Sequence, residues 1–374
     1  MYKMKKRRKI IAKIYQVVLK PLFFKLDPEF VHDRMIAMGS LLGRFKLLRI
    51  ITAKFFLYQH QMLEQDVAGI KFVNPVGLSA GFDKEAKIIK ILPAVGFGYV
   101  QIGSVTYNAY VGNPKPRLYR LPKSEAIVVY YGLKNEGIKK IAERIMASKP
   151  LAIPFSLSIA KTNCAATVGK ADGIADYKAC LAYALEQDLA DMYTINISCP
   201  NAFGGEPFTD VQSLQMLLVE LYQLKINRPL FIKMPINLVW SDFKALLDVI
   251  VQFPVAGVII GNLSKDRMAA SIKDLIPAEI KGGISGKPTE ELCNHLIKQT
   301  YKEFGKKLVI VGVGGIFSAE DAYKKIKLGA SLVQLITGMI YKGPQLIGEI
   351  NEGLVELLKK DGYSKVSEAV GVDV

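Results

Sequence analysis

A chain of 374 residues, half of them apolar and 22% charged, is too long for a minimal domain and too apolar for a disordered one. Its formal charge of +16 reflects 50 Lys and Arg against 34 Asp and Glu. The four cysteines, Cys164, Cys180, Cys199 and Cys293, form no Cys-x-x-Cys pair, which argues against a zinc site, a cysteine-ligated cluster or a secreted disulfide framework.

The charge is unevenly spread. Residues 1–60 hold fourteen Lys and Arg but three acids, Asp27, Glu29 and Asp33. Between Ile10 and Leu26 apolar residues recur in a helical rhythm, interrupted by Lys13, Lys20 and Lys25. No run there reaches the ~18–20 uncharged apolar residues of a spanning helix, nor does it resemble a signal peptide. A second amphipathic stretch runs from Val31 to about Tyr58. Apolar faces flanked by cations suit an anionic membrane surface. A plain helical cap is the alternative, and nucleic-acid binding finds no recognition motif.

From Gly69 onward, short β-branched runs alternate with helical patterns. The predicted strands are Asn74–Ser79, Tyr99–Gly103, Phe155–Ile159, Met192–Ile197, Leu230–Met234, Gly257–Ile260, Leu308–Val311 and Leu332–Leu335. The helices between them include Lys84–Val95, Glu136–Ala147, Ile174–Ala190, Val211–Gln223, Ser241–Gln252, Thr289–Tyr301 and Ala319–Leu328. Such alternation predicts an α/β fold, a (β/α)8 barrel with an N-terminal amphipathic helical extension, against a doubly wound open sheet as competitor.

Polar and glycine residues collect just after the predicted strands, on the face where barrels build active sites. Ser79–Lys84 follows the first, Ser104 the second and Asn196–Asn201 the fourth. Lys233 lies near the end of the fifth, and Asn262 follows the sixth. The seventh runs into Gly312-Val313-Gly314-Gly315-Ile316, which lacks the spacing of a dinucleotide fingerprint. With Thr337-Gly338 after the eighth strand, it reads as a phosphate cradle of backbone N–H groups.

His32, His60 and His295 are the only histidines, and two lie in the N-terminal region, so a His-centred triad or metal site is not indicated. Acid–base work falls to Cys199, which is flanked by Asn196, Asn201 and the rigid Pro200. A thiol can act as a base where electropositive neighbours favour the thiolate. Lys84 and Lys233 could neutralise an anionic substrate or an electron-rich ring, while the other cysteines read as structural.

Several long segments resemble the dihydroorotate dehydrogenases. They are Asn74-Pro75-Val76-Gly77-Leu78-Ser79-Ala80-Gly81-Phe82-Asp83-Lys84, Gly112–Pro122, Ile195-Asn196-Ile197-Ser198-Cys199-Pro200-Asn201, Gly312–Ile316 and Gly329–Gln334. The Lys115–Pro122 segment and the helical extension are similar to the membrane-associated, quinone-reducing class. The resemblance implies an FMN enzyme of pyrimidine synthesis that oxidises dihydroorotate to orotate, with proton removal from C5 and hydride transfer from C6 to the flavin. It implies a tunnel and membrane region over 1–66 and an FMN-binding barrel over 67–374, peripheral on the cytoplasmic face of the cell membrane. Ala80, Gly81, Ser104, Asn196, Lys233, Gly283, Gly315 and Thr337 would hold FMN. Lys84, Asn196, Asn201 and Asn262 would hold the substrate. Cys199 would be the base, and His32 and Arg120 would line the quinone tunnel.

The match has departures. The quinone class usually carries serine at the base position, and cysteine is typical of the soluble class. Val129 stands where the resemblance expects an amide, Leu263 where it expects threonine, Ser158 where it expects asparagine and Ile336 where it expects tyrosine. These changes keep a flavin oxidoreductase acting on another reduced ring as a second reading. A flavin-free, phosphate-binding isomerase or lyase is a third, and a non-catalytic carrier a fourth.

Overall fold

The helical rhythm of the N-terminal region resolves, in the computed structural model, into one continuous helical segment and a helical pair. The structure describes residues 2–202 and 205–374, without the side chains of residues 2–4 and 6. Helix α1 (Tyr2–Ile14) passes through a π-helical turn over Tyr15–Leu19 into α2 (Lys20–Lys25). Asp27 then caps α3 (Pro28–Arg44), its carboxylate accepting from the Phe30 N–H at 2.8 Å, with Pro28 at the first helical position. Phe45 is extended and breaks the second stretch, so that α4 (Lys46–Phe56) is a separate helix. Among the described residues, no helix is long and apolar enough to cross a membrane.

A short hairpin, β1 (Gln65–Val67) and β2 (Ile70–Phe72), leads into the barrel. In chain order there follow β3 (Val76–Leu78), α5 (Leu92–Val95), β4 (Tyr99–Val105), β5 (Leu118–Leu121), β6 (Ala126–Val129), α6 (Ile138–Met146) and β7 (Phe155–Ile159). Next come α7 (Lys170–Glu186), β8 (Met192–Asn196), α8 (Val211–Leu221), β9 (Leu230–Met234), α9 (Trp240–Ile250) and β10 (Gly257–Ile260). The chain closes with β11 (Gly283–Gly286), α10 (Glu290–Phe304), β12 (Val309–Val313), α11 (Ala319–Lys327), β13 (Leu332–Leu335), α12 (Thr337–Lys342) and α13 (Leu346–Lys360).

Eight parallel strands close in the order β10-β12-β13-β3-β4-β7-β8-β9, which rules out the open sheet. Helices pack outside them, so the fold is a (β/α)8 barrel. β7, β8 and β9 are buried at every position, as expected of parallel strands covered on both faces. The hairpin plugs one end. Val67 and Phe72 pack with Tyr99, Met192, Phe231 and Leu332, which lie at the beginnings of their strands. The carboxyl ends of the strands are thereby left as the open face.

Three elements depart from expectation. The helix expected over Lys84–Val95 is reduced to α5. The buried Asp83 carboxylate accepts the N–H groups of Lys87 and Ile88, each at 2.9 Å, and winds that segment into turns. β5, β6 and β11 form an antiparallel sheet outside the barrel, unforeseen because its third strand comes from far along the chain. Helix α13 completes the outer ring: its inner face, including Leu346, Ile350 and Leu354, is fully buried.

Candidate active site

The carboxyl ends of the barrel strands and the inner faces of the N-terminal helices enclose one continuous cavity of about 520 Å³. That size falls within the ~300–1,000 Å³ of small-molecule sites. Every candidate named from the sequence lines it except Gly283. Gly283 sits behind the wall on β11, paired with Val129, and a Cβ there would come within 2.6 Å of the Leu263 Cβ. The sequence reading missed Ser285, Gly286 and Tyr131, which do line the cavity. Glycines flanking a β-branched residue in the long connection after β10 were the available signal for Ser285 and Gly286.

At the deep end lies the glycine turn after β12. Gly315 has φ +72°, and a Cβ there would meet the Glu290 Cβ at 2.3 Å, so only glycine lets this turn approach α10. The backbone N–H groups of Gly314, Gly315 and Ile316 have no acceptor among the described residues. The first turn of α12 adds Thr337, whose hydroxyl meets Ser285 Oγ at 2.9 Å. Open N–H groups at a strand-to-helix turn make a cradle for an anion.

The middle of the cavity is polar on one side. Asn196, at the end of β8, donates to Ser104 Oγ at 2.8 Å, and that hydroxyl meets Ser158 Oγ at 2.8 Å. Lys233, 5% exposed, has no hydrogen-bond or ion-pair partner for its ammonium among the described residues. Burial pulls its pKa down to about 8, with Cys199 and Cys293 opposing the drop. A cradle with free N–H groups and an unpaired buried cation fit a group that carries a phosphate and an electron-rich ring, as FMN does.

Cys199 stands in the loop after β8. Burial pushes its thiol up to about 11, while a hydrogen bond from the Asn201 backbone and the charges of Lys233 and Lys161 favour the thiolate. Asn201 donates through Nδ2 to the Val129 carbonyl at 2.8 Å. Asn262 is held at both ends. Its Nδ2 donates to the Ser198 carbonyl and hydroxyl at 2.6 Å, and its Oδ1 accepts the Leu263 N–H at 2.9 Å.

Lys84 marks the passage to the helical side. Its ammonium is 3.2 Å from His32 Nε2 and 3.9 Å from the centre of the Tyr131 ring. Burial and then Lys134 lower the Lys84 pKa to about 8, and burial with Lys84 holds His32 well below the usual histidine range. Beyond this pair the cavity turns apolar, along Met35, Met38, Leu42 and Phe24. Arg120, over the Phe24 ring at 4.8 Å, donates to the Leu26 carbonyl at 2.8 Å.

Residues 62–358 match the family model described as dihydroorotate dehydrogenase. The chain belongs to the dihydroorotate dehydrogenase family. A protein of Nautilia profundicola named dihydroorotate dehydrogenase (quinone) is 38% identical over 96% of each chain. One of that name from a Sulfurovum species is 38% identical over 95% of this chain and 97% of its own. Among solved structures, the ligand-free dihydroorotate dehydrogenase of Eimeria tenella superposes with a TM-score of 0.79 at 26% identity, covering 93% of this chain and 99% of that one. Family membership makes the chain an oxidoreductase.

Proposed function

We propose that the chain oxidises dihydroorotate to orotate and passes the electrons to a quinone, with FMN as its cofactor. The observation that carries this reading is the single cavity with two chemically different ends. The barrel end offers cations, amides and a thiol to an anionic ring, and the helical end offers an apolar path to a lipid-soluble acceptor. The names of the relatives support the same two reactants.

In this reading Ala80, Gly81, Ser104, Asn196 and Lys233 border the FMN ring, and Gly315 and Thr337 hold its phosphate. Gly283 serves indirectly, by letting the β11 wall close against Leu263. Bound there, FMN supplies the hydride acceptor. The chain's own residues do the rest. Lys84 swings from His32 to neutralise the substrate carboxylate, and Asn201 and Asn262 orient the ring. Cys199, as thiolate, takes a proton from the ring carbon, while Lys233 offsets negative charge beside it. His32 and Arg120 line the quinone end. The basic, outwardly apolar helices rest peripherally on an anionic membrane surface, at the cytoplasmic face of the cell membrane.

Anaerobic mixing of FMN-loaded protein with L-dihydroorotate tests this directly. Bleaching of the flavin absorbance, followed by its recovery on adding decylubiquinone, is the expected result. A flavin bleached by dithionite but not by dihydroorotate, at any concentration up to millimolar, would remove dihydroorotate as substrate.

A further inference from the structure

The polar groups of the site are unequally available. Asn262 is satisfied at both ends by Ser198 and Leu263, and Asn201 spends its Nδ2 on the Val129 carbonyl. Asn196 donates to Ser104 and accepts from Ser198. Beside them stand Val129 and Leu263, both lining the cavity. Gly283 joins the two into one wall: it pairs with Val129 across the sheet and makes room for the Leu263 Cβ on its other side. Asn201 and Asn262 border that patch through the backbones of Val129 and Leu263, with the amide of Asn201 and both ends of Asn262 already engaged. A ring amide turned toward it would lose its water partners and gain none, which a polar edge cannot tolerate at low cost.

We infer that Val129 and Leu263 set substrate specificity, giving the site an apolar edge that accepts an anionic dihydropyrimidine carrying an alkyl group on that edge. Recognition then rests on charge at Lys84 and on the thiol and asparagine side, and the remaining edge is read by shape. The inference builds on the proposed dihydroorotate chemistry and names the substituent the site takes.

The probes are dihydroorotates methylated or ethylated at either ring nitrogen, compared with dihydroorotate by anaerobic flavin bleaching. The corresponding alkylated orotates, titrated against the flavin spectrum, give a Kd independent of turnover. At least one alkylated ring is expected to bleach the flavin within about fivefold of dihydroorotate in kcat/KM or better, since one methylene is worth about 10–200-fold in a fitting apolar pocket. V129N and L263T should each shift that preference toward the unsubstituted ring by at least about tenfold, the usual return on one restored hydrogen bond. The isosteric V129T guards against a folding failure and should shift it in the same direction. Rejection of every alkylated ring by more than about 100-fold, or a preference unmoved in all three variants, overturns the inference. If only the alkylated rings bleach the flavin, the inference stands and dihydroorotate falls as substrate. If no ring bleaches it in any variant, both fall together.

Discussion

The barrel and the helices in front of it dispose of their apolar residues differently. In the barrel, apolar strand residues are buried almost throughout: Val100, Ile102, Leu157, Ile195 and Ile232 have no exposed surface at all. In the helical region the same residue types point outward, with Val17 65% and Leu47 66% exposed. Ile36, Leu42, Ala53 and Phe24 pack the inner faces of those helices on the barrel core, and polar contacts add to them. Arg8 pairs with Glu352 at 2.7 Å, Tyr15 donates to the Ile340 carbonyl at 2.6 Å and Gln16 to that of Tyr341 at 2.8 Å. Glu29, almost wholly buried, gathers Arg117 at 3.2 Å with Lys134 and Lys115 just beyond. The barrel buries its own hydrophobic surface, whereas the helices leave much of theirs exposed.

The sharpest break in that comparison comes from the barrel side. C199A should retain the yellow flavin and the fold but slow flavin reduction by about 10²-fold or more, the scale of a positioned general base. Quinone reoxidation of flavin reduced beforehand should be unchanged. An unaltered reduction rate in a stopped-flow trace would take Cys199 out of the mechanism. C199S should recover part of the loss, since a hydroxyl can occupy the same place.

From the helical side, the largest effect should follow loss of Arg8. Its guanidinium is 1% exposed and lies 5.6 Å over the Tyr58 ring, yet its Nε and Nη1 have no hydrogen-bond partner among the described residues. Removing one member of a buried ion pair costs about 3–5 kcal/mol because the other charge is left uncompensated. The two unpaired nitrogens place Arg8 at the low end. R8A should therefore lower hydrogen-exchange protection of α1 by about two decades while β7 and β8 keep theirs. The double variant R8M/E352L should restore it, apolar pairs being about as stable as buried ionic ones. A uniform loss across the barrel would mean that the two regions unfold as one.

Next in size is pH. Thiolate is the minor form below about 11, so the limiting rate of flavin reduction should climb about tenfold per unit from about pH 7 upward. Lys84 behaves inversely: it is charged below about 8 and neutral above, so KM for an anionic ring should rise through that point as the cation is lost. A pH-independent limiting rate would show that proton removal is not what limits the step.

Much of this layout was readable from residue order, and the reasons for the failures are physical. Parallel strands buried on both faces announce themselves as short, mainly apolar runs, so all eight barrel strands fall within a few residues of expectation. The segment after Asp83 has helical spacing, but a buried carboxylate gathering N–H groups outweighs propensity. The β5–β6–β11 sheet depends on pairing between residues 126–129 and 283–286, which no local pattern encodes. Strand ends pointed to candidates that line the cavity, yet which amides are free within it depends on partners such as Ser198, visible only in three dimensions.

The smallest effect concerns the outward face of the helices. Val17, Val18, Leu22, Leu41 and Leu47 are each more than half exposed, and Lys13, Lys46 and Arg44 lie along the same helices. If this face lies on a bilayer, each aliphatic side chain transfers only part of its area, well below the ~1.5–3 kcal/mol of full burial. Leu47→Ser or Val17→Ser alone should then weaken binding to vesicles containing anionic phospholipid by only about three- to tenfold, with flavin reduction by dihydroorotate unaffected. Raising the salt should weaken binding further, because the cations act through a screened field. Sedimentation with such vesicles reads both effects. Loss of flavin reduction in L47S would assign the outward leucine a role in holding the cavity closed, and would erase the distinction between a self-sufficient barrel and helices completed by a membrane.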